Sequence, residues 1–155
     1  RVRGVAIRTT FLVGFPGETD ADFAELLAFV KDFGFEAMGV FEFSPEPGTE
    51  AASMAPAVPD DVKAARAEAL MLAQQEIAFR HNRNMIGTPI EVLVDAAGAE
   101  GRCRGRHRGQ APEVDGVCHV APPAEPGTFV AGTVTGFDGY DLLVDAQDHA
   151  VDPSE

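Results

Sequence analysis

Two short apolar runs, each ending in a loop rich in glycine and proline, constrain the fold of this chain more than any other feature. The first extends from Val5 to Val13 and ends in Gly14-Phe-Pro-Gly17. The second extends from Met38 to Phe43 and ends in Ser44-Pro-Glu-Pro-Gly48. With a helical pattern between them, they predict a βαβ unit with parallel strands and a right-handed crossover. The apolar, β-branched first run predicts burial on both faces.

The segment between the two runs carries the start and stop signals of a helix. Thr19, followed three residues later by Asp22, resembles a capping box, and Gly34 suits the left-handed position that ends a helix. The apolar stripe expected at the helical period consists of Phe23, Leu26, Leu27 and Val30.

The two loops form a candidate binding site. The carboxyl ends of parallel strands meet at one edge of a sheet, where the sites of α/β barrels form. A cofactor at that edge would meet Gly14 and Phe15 on one side and Phe43 and Ser44 on the other. Glycine would allow close approach to the backbone, although a purely structural turn is the alternative interpretation. The GxGxxG spacing of dinucleotide-binding loops is absent.

The second half of the chain changes from helical to strand periodicity. Ala51 to Pro59 is typical of a linker, and Asp60 to Met85 predicts one long helix with Leu70, Ala73 and Ile77 on its packing stripe. From Thr88, five short strands predict a small antiparallel barrel resembling an OB-fold. The first strand alternates around Ile90, Val92 and Val94, and the others are Arg102 to Arg108, Val117 to Val120, Thr128 to Thr135 and Asp141 to Val144.

Charge in the second half is acidic overall but not uniform. The chain has a formal net charge of −13, with 12 acids and 4 bases in residues 86–155. An acidic surface favours a basic protein partner, and solubility alone is the alternative explanation. The four bases alternate along one predicted strand, so that they share a face that either contacts phosphates or pairs with acids such as Glu91 and Asp95. They are Arg102, Arg104, Arg106 and Arg108.

Other classes of site find little support. The two cysteines, Cys103 and Cys118, are expected to be small reduced residues, with a disulfide between neighbouring strands as the alternative. The four histidines form no metal or triad spacing. No apolar stretch reaches the roughly 20 residues of a membrane span, and no signal-peptide pattern is present. A cytoplasmic location is expected, and the abrupt start just before a strand suggests preceding sequence.

The two loops resemble the last strands of the radical S-adenosylmethionine barrel in the methylthiotransferase family. In that family's Gly-x-Ile-x-Gly-x-x-Glu motif, Thr10 replaces the first glycine, Leu12 occupies the isoleucine position, Gly14 matches, and Glu18 lies one residue late. The helix and barrel that follow are similar to the family's connecting helix and TRAM domain. The resemblance implies an α/β plus all-β chain: the C-terminal βαβ piece of a TIM-like barrel (1–58), a connecting helix (59–86), an OB-like TRAM barrel (87–150) and a tail (151–155).

Gln110-Ala-Pro-Glu-Val-Asp-Gly116 resembles the TRAM loop of the branch that modifies a ribosomal protein, and Glu46 and Tyr140-Asp-Leu142 also fit that branch. The resemblance implies transfer of a methylthio group to the β-carbon of an aspartate in small-subunit ribosomal protein twelve, with S-adenosylmethionine and two 4Fe–4S clusters as cofactors. The residues implied to contact the cofactor are Gly14, Phe15, Phe43 and Ser44, and those implied to face the substrate are Arg106, Pro112, Glu113, Asp115 and Gly116.

The family's cluster-binding cysteine triad is missing, so we expect no catalytic or metal-binding residue in this chain and no activity from it alone. A monomer is expected, with a basic small-subunit ribosomal protein as its partner, no membrane contact, and contact with rRNA left open. One alternative is a tRNA methylthiotransferase acting on an adenosine beside the anticodon. Another is a non-catalytic module that binds protein or RNA.

Overall fold

A parallel strand pair packed on a helix begins the part of the chain that the computed structural model describes, residues 5–147. That part divides into two compact units, one up to Ala78 and one from Phe79 onward. The first contains β1 (Arg8–Val13), α1 (Asp20–Phe33), β2 (Ala37–Glu42), a 3₁₀ turn (Ala51–Ser53) and most of α2 (Asp60–Met85). The second begins within α2 and continues with β3 (Pro89–Ala97), β4 (Cys103–His107), β5 (Cys118–Ala121), β6 (Phe129–Asp138) and β7 (Asp141–Ala146).

The predicted βαβ unit is confirmed. β1 and β2 are parallel, in a register that runs from Arg8 opposite Ala37 to Val13 opposite Glu42. The expectation that β1 is buried on both faces is wrong for the described residues. Its alternate residues are covered, whereas Leu12 is 48% exposed and its register partner Phe41 is 66% exposed. A two-stranded sheet packed on helices by one face leaves the other face uncovered.

The signals at the two ends of α1 act as the sequence predicts. The Thr19 hydroxyl accepts a hydrogen bond from the Asp22 N–H (3.2 Å), and the Asp22 carboxylate accepts one from the Thr19 N–H (2.9 Å). The hydrogen bond from the Thr19 side chain, helped by that from its backbone, lowers the pKa of Asp22. Gly34 ends the helix in the left-handed conformation, with φ 69°.

The core of the first unit lies between the strand pair, α1 and α2. The predicted packing stripe of α2 is confirmed, because Leu70, Ala73 and Ile77 are all buried. None of the helices within residues 5–147 is long and apolar enough to cross a membrane. The buried residues of this core are Val13, Val30, Phe35, Met38, Leu70 and Ile77.

The five predicted strands form a closed barrel in the order β3-β4-β5-β7-β6. The sequence suggested an antiparallel barrel, and this is wrong for one pair, because β5 and β7 are parallel. Strand directions cannot alternate all the way around a ring with an odd number of members. A closed barrel of five strands must therefore contain at least one parallel pair, and here that pair consists of β5 and β7, which precede and follow β6 in the sequence.

The two cysteines lie inside this barrel on neighbouring strands. Both are buried and free, which agrees with reduced core residues rather than a disulfide. Burial raises the pKa of the Cys118 thiol to about 12. They complete a core whose other buried members are Val92, Val94, Val120, Val134, Leu142 and Val144.

Two barrel glycines differ sharply in the space around them. A Cβ at Gly105 would lie 2.4 Å from the Leu93 carbonyl oxygen and 2.6 Å from the Val92 Cγ1 atom. A Cβ at Gly136 would meet only the Leu143 Cδ1 atom, at 3.5 Å, an ordinary contact. The packing of β4 against β3 therefore depends on the absence of a side chain at position 105.

We expect Gly105→Ala to lower the free energy of unfolding by about 1–3 kcal/mol, the usual cost of overpacking, because backbone must move. Gly136→Ala is the matched control and should change it by less than about 1 kcal/mol. Urea titrations of both variants measure the difference. Equal stability of the two would contradict the close packing of β3 on β4.

Candidate functional sites

The loop after β1 folds back on its own carboxylate. Gly14 has φ +75°, in the left-handed region that favours glycine. Its N–H donates to Glu18 Oε2 at 2.9 Å, and the Glu18 N–H donates to the Phe15 carbonyl at 2.9 Å. The loop is also held from outside, since the Gly17 N–H donates to the Pro56 carbonyl at 2.9 Å. The Gly14 N–H is thus satisfied within the protein.

The space beside Gly14 is filled by a lysine from α2. A Cβ at position 14 would lie 2.3 Å from Lys63 Cγ and 2.9 Å from Lys63 Cδ. The sequence predicted that glycine here would allow a cofactor to approach the backbone closely, with a purely structural turn as the alternative. In the structure, the methylene stem of Lys63 occupies the place of a side chain at position 14. Lys63 is buried, and its ammonium pairs with Asp60 at 3.0 Å.

The aromatic residues of the two loops come together, as the sequence predicts for neighbouring parallel strands. The rings of Phe15 and Phe43 meet edge to face, with centroids 5.2 Å apart. The Phe43 N–H donates to the Val13 carbonyl at 2.8 Å, which fixes the second loop to the end of β1. Phe15 is 40% exposed and Ser44 is also exposed. This edge therefore presents aromatic surface with a hydroxyl beside it.

The residue that sequence reasoning missed is Arg66 of α2. Its Nη1 atom lies 2.6 Å from Glu18 Oε1, and its Nη2 atom lies 2.7 Å from Asp20 Oδ1. Arg66 is only 6% exposed, unlike most arginines. A sequence signal was available, because Lys63 and Arg66 are three residues apart and so share a face of the first turns of α2.

A second loop, between β4 and β5, is organised around Gln110. The Gln110 Oε1 atom accepts a hydrogen bond from the His107 N–H (3.0 Å) and one from the Cys118 thiol (3.3 Å). Its Nε2 atom donates to the Gly116 carbonyl at 2.7 Å. One amide side chain thus joins both ends of the loop to the barrel wall.

The predicted substrate residues of this loop divide into a neck and a tip. Asp115 is part of the neck, because its carboxylate accepts the Ala111 N–H at 2.6 Å. Gly116 is packed under β7, since a Cβ there would lie 2.3 Å from the Tyr140 carbonyl oxygen. Pro112 and Glu113 are exposed at the tip, where Glu113 has φ 63°. Val114, not singled out from the sequence, is 73% exposed at the same tip.

The four arginines do not share one strand. Only Arg104 and Arg106 lie on β4, where they alternate with the buried Cys103 and Gly105. Arg106 forms an ion pair with Asp95, which agrees with the prediction that the arginines pair with acids on neighbouring strands. Arg102 and Arg104 instead line a shallow surface depression with His119 and Leu143.

The histidines do not form a metal site in the described part of the chain. Residues 5–147 contain no group of three or more histidine, cysteine or acidic side chains that could hold an ion. His107 Nδ1 accepts a hydrogen bond from the Gly109 N–H (3.0 Å), a bond that requires the unprotonated nitrogen. Burial, reinforced by the charges of His81 and Arg108, lowers the pKa of His107.

Comparison with known proteins agrees with both halves of this description. The family model described as TRAM domain matches residues 86–146, which include the whole barrel. A relative from Anaeromyxobacter sp. (strain Fw109-5), named ribosomal protein uS12 methylthiotransferase RimO, is 50% identical over 92% of this chain. Proteins of the same name from Syntrophotalea carbinolica and Pelotomaculum thermopropionicum are 44% and 43% identical over 97% and 91% of it. Over about nine-tenths of its length, this chain is therefore similar to proteins named uS12 methylthiotransferase.

The family resemblance drawn from the two loops and the barrel is thereby confirmed. The matched region covers 31% of the Anaeromyxobacter protein, 34% of the Syntrophotalea protein and 33% of the Pelotomaculum protein. The chain thus spans about a third of the length of the curated relatives that it matches. Similarity of this extent includes the loop after β1, α2 and the TRAM domain together.

The structure separates two costs of replacing a glycine in the first loop. Gly14 and Gly17 both have positive φ, but a Cβ at Gly17 would meet nothing within 4 Å. We expect Gly17→Ala to lower the free energy of unfolding by about 1 kcal/mol through backbone strain alone. Gly14→Ala should cost about 1–3 kcal/mol more, because it also displaces Lys63.

Thermal or urea unfolding of the two variants measures these costs. In a Lys63→Ala background the collision is relieved, and Gly14→Ala should then cost only about as much as Gly17→Ala. If Gly14→Ala costs no more than Gly17→Ala in the unmodified background, the close contact with Lys63 is wrong.

Proposed function

We propose that this chain is the C-terminal part of an enzyme that adds a methylthio group to the β-carbon of an aspartate in ribosomal protein uS12. The observation that carries the proposal is the 43–50% identity to proteins bearing that name over more than nine-tenths of the chain. In this proposal, residues 1–58 belong to the radical S-adenosylmethionine barrel and 59–86 form the connecting helix. Residues 87–150 are the TRAM domain, and the tail 151–155 lies outside the described residues.

The edge formed by the first two loops fits the adenosyl part of S-adenosylmethionine. A heteroaromatic ring packs well against aromatic side chains, which Phe15 and Phe43 supply. The Ser44 hydroxyl can donate to or accept from a polar atom beside them. Leu12 and Phe41 present an exposed apolar face on the same strands, which would exclude water from a bound ligand. S-adenosylmethionine, when bound, would supply both the radical source and the methyl group.

The two 4Fe–4S clusters that the family implies would be held by residues outside this chain. Three cysteines for each cluster exceed the two that the sequence contains. Both cysteines are buried in the barrel, and burial raises the pKa of Cys118 to about 12, which disfavours the thiolate that a cluster requires. We therefore propose that residues 1–155 alone are inactive.

The TRAM domain is proposed to bind the protein substrate. Residues 86–155 carry 12 acids and 4 bases, which suits a basic ribosomal protein and repels a polyanion. The Gln110 contacts hold the loop that presents Pro112 and Glu113, so little ordering is needed when a partner binds. Arg106 would contribute through its pair with Asp95, and Arg102 and Arg104 leave contact with rRNA open. We propose a cytoplasmic monomer.

The full-length enzyme provides the direct test. Incubated with S-adenosylmethionine, reductant and a sulfur source, it should convert uS12 to the methylthio form, and uS12 in which the target aspartate is replaced by alanine should be unchanged. Mass spectrometry of the protein and of tRNA incubated in parallel measures both products. Modification of tRNA with no change in uS12 would move the assignment to the tRNA branch, and tight substrate binding without any product would favour a binding module.

A charge change at the loop tip isolates the role proposed for the TRAM domain. We expect Glu113→Lys to weaken binding of uS12 by about five- to tenfold, since a rim charge contributes about 1 kcal/mol and the new charge is repulsive. The effect should shrink at high salt because exposed charges are screened. Asp115→Lys should weaken binding too, but it also removes the hydrogen bond to Ala111, so Glu113 gives the cleaner comparison.

The matched control is Glu125→Lys, which makes the same charge change in another exposed loop of the barrel. Titration of uS12 against the wild type and both variants, at two salt concentrations, measures the difference. Equal weakening by Glu113→Lys and Glu125→Lys would mean that net charge matters and that the loop tip does not.

A further inference from the structure

We infer that Arg66 is a positioning residue for the loop after β1: it holds Glu18 in place and thereby sets the conformation of Gly14 and Phe15. This inference rests on the proposed function, because the value of a fixed loop lies in the cofactor that it would contact. A series of contacts within the first unit leads from α2 to the aromatic edge.

The chain of contacts begins at a buried charge. Arg66 has both ends of its fork occupied, by Glu18 Oε1 at 2.6 Å and Asp20 Oδ1 at 2.7 Å. Burial opposes the charged form, but the hydrogen bond and charge of Asp20 and of Glu18 outweigh it and raise the pKa of Arg66. The guanidinium therefore stays charged and paired wherever the protein is folded.

The two carboxylates are not equivalent. The side chain of Glu18 is 13% exposed, whereas that of Asp20 is 99% exposed. A desolvated ion pair is held more firmly than one that water screens. The contact between Arg66 and Glu18 is therefore the one that restrains the loop, and Asp20 contributes little.

Glu18 transmits the restraint to the backbone. While Oε1 is held by Arg66, Oε2 accepts the Gly14 N–H at 2.9 Å, and the Glu18 N–H closes the turn on the Phe15 carbonyl. Phe15 lies inside this closed turn, and its ring meets that of Phe43. Without Arg66, the Glu18 carboxylate would be left buried and unpaired, so it would turn to solvent and release the Gly14 N–H.

Arg66 also fixes the distance between α1 and α2 at this point. Its guanidinium lies over the Phe23 ring, 5.5 Å from the centroid, while its neighbour Lys63 covers Gly14. Two bases on one face of α2 thus hold the loop, and the Lys63 ammonium also lies over the Phe43 ring of the aromatic edge, 5.9 Å from its centroid. A substitution at Arg66 should displace the loop rather than merely remove a surface charge.

The test uses the full-length enzyme and compares binding of S-adenosylmethionine with stability. We expect Arg66→Met to raise the dissociation constant by about ten- to a hundredfold, because small displacements of positioning groups have effects of that size. Arg66→Lys should recover part of the loss, since one ammonium can still reach Glu18. Glu18→Leu, which removes both hydrogen-bonding oxygens, should resemble Arg66→Met, and Asp20→Asn should bind within about twofold of wild type.

A stability control separates positioning from general weakening. Val30→Ala creates a cavity in the same core at a distance from the loop, since Val30 is fully buried and lies about 15 Å along α1 from Asp20. Variants with equal falls in the unfolding midpoint are then compared by equilibrium dialysis. If Val30→Ala weakens cofactor binding as much as Arg66→Met, or if Arg66→Met binds normally, the inference is overturned. If the wild-type enzyme itself fails to bind S-adenosylmethionine, the proposed function fails instead.

If Arg66→Met does not fold, the test uses binding of S-adenosylmethionine by Arg66→Lys and Glu18→Gln. Both keep a polar group at the contact and should weaken cofactor binding relative to the wild type, by less than about tenfold. Normal binding by both variants, together with a lowered unfolding midpoint, would overturn the inference.

Discussion

The buried guanidinium of Arg66 is the contact on which the shape of the first loop depends. Arg66 holds the Glu18 carboxylate, which in turn accepts the hydrogen bond from the Gly14 N–H. The Glu18 N–H closes the turn that sets the position of the Phe15 ring. A charge so far removed from water must be paired, so the loop and α2 are specified together. Glycine is required at position 14 for two separate reasons, its positive φ and the Lys63 stem, which occupies the place where a side chain would lie.

In the barrel, a loop is likewise held in place by one side chain, but that side chain is uncharged. Gln110 binds the backbone at His107 and at Gly116, so the loop between β4 and β5 is anchored at both ends. Its third partner, the Cys118 thiol, lies in the barrel core. The tip of the loop is not part of these Gln110 contacts and exposes Glu113 and Val114. A rigid neck with an exposed tip is a common way to present a recognition surface at low entropic cost.

In the proposed enzyme, these two parts of the chain have different roles. The parallel strand pair presents aromatic surface suited to a cofactor, and the acidic barrel presents a loop suited to a basic protein. The similarity to the uS12 methylthiotransferases covers both, and it extends over about a third of the length of those relatives. In the proposed function, the clusters and the radical chemistry lie in sequence beyond this chain. What this chain would contribute is the support of the cofactor and the choice of substrate.

The sequence by itself determined the order and type of the elements, because periodicity and capping are local. The capping box at Thr19, the end of α1 at Gly34 and the packing stripe of α2 are all read from neighbours three or four residues apart. Tertiary structure decided what lies beside each loop. Lys63 and Arg66 reach Gly14 and Glu18 from more than forty residues away, and the parallel pair of β5 and β7 follows from closing a ring of five strands. The spacing of Lys63 and Arg66 shows locally only that they share a helix face. Their partners, like the pairing of β5 with β7, depend on which distant groups the folded chain brings within contact.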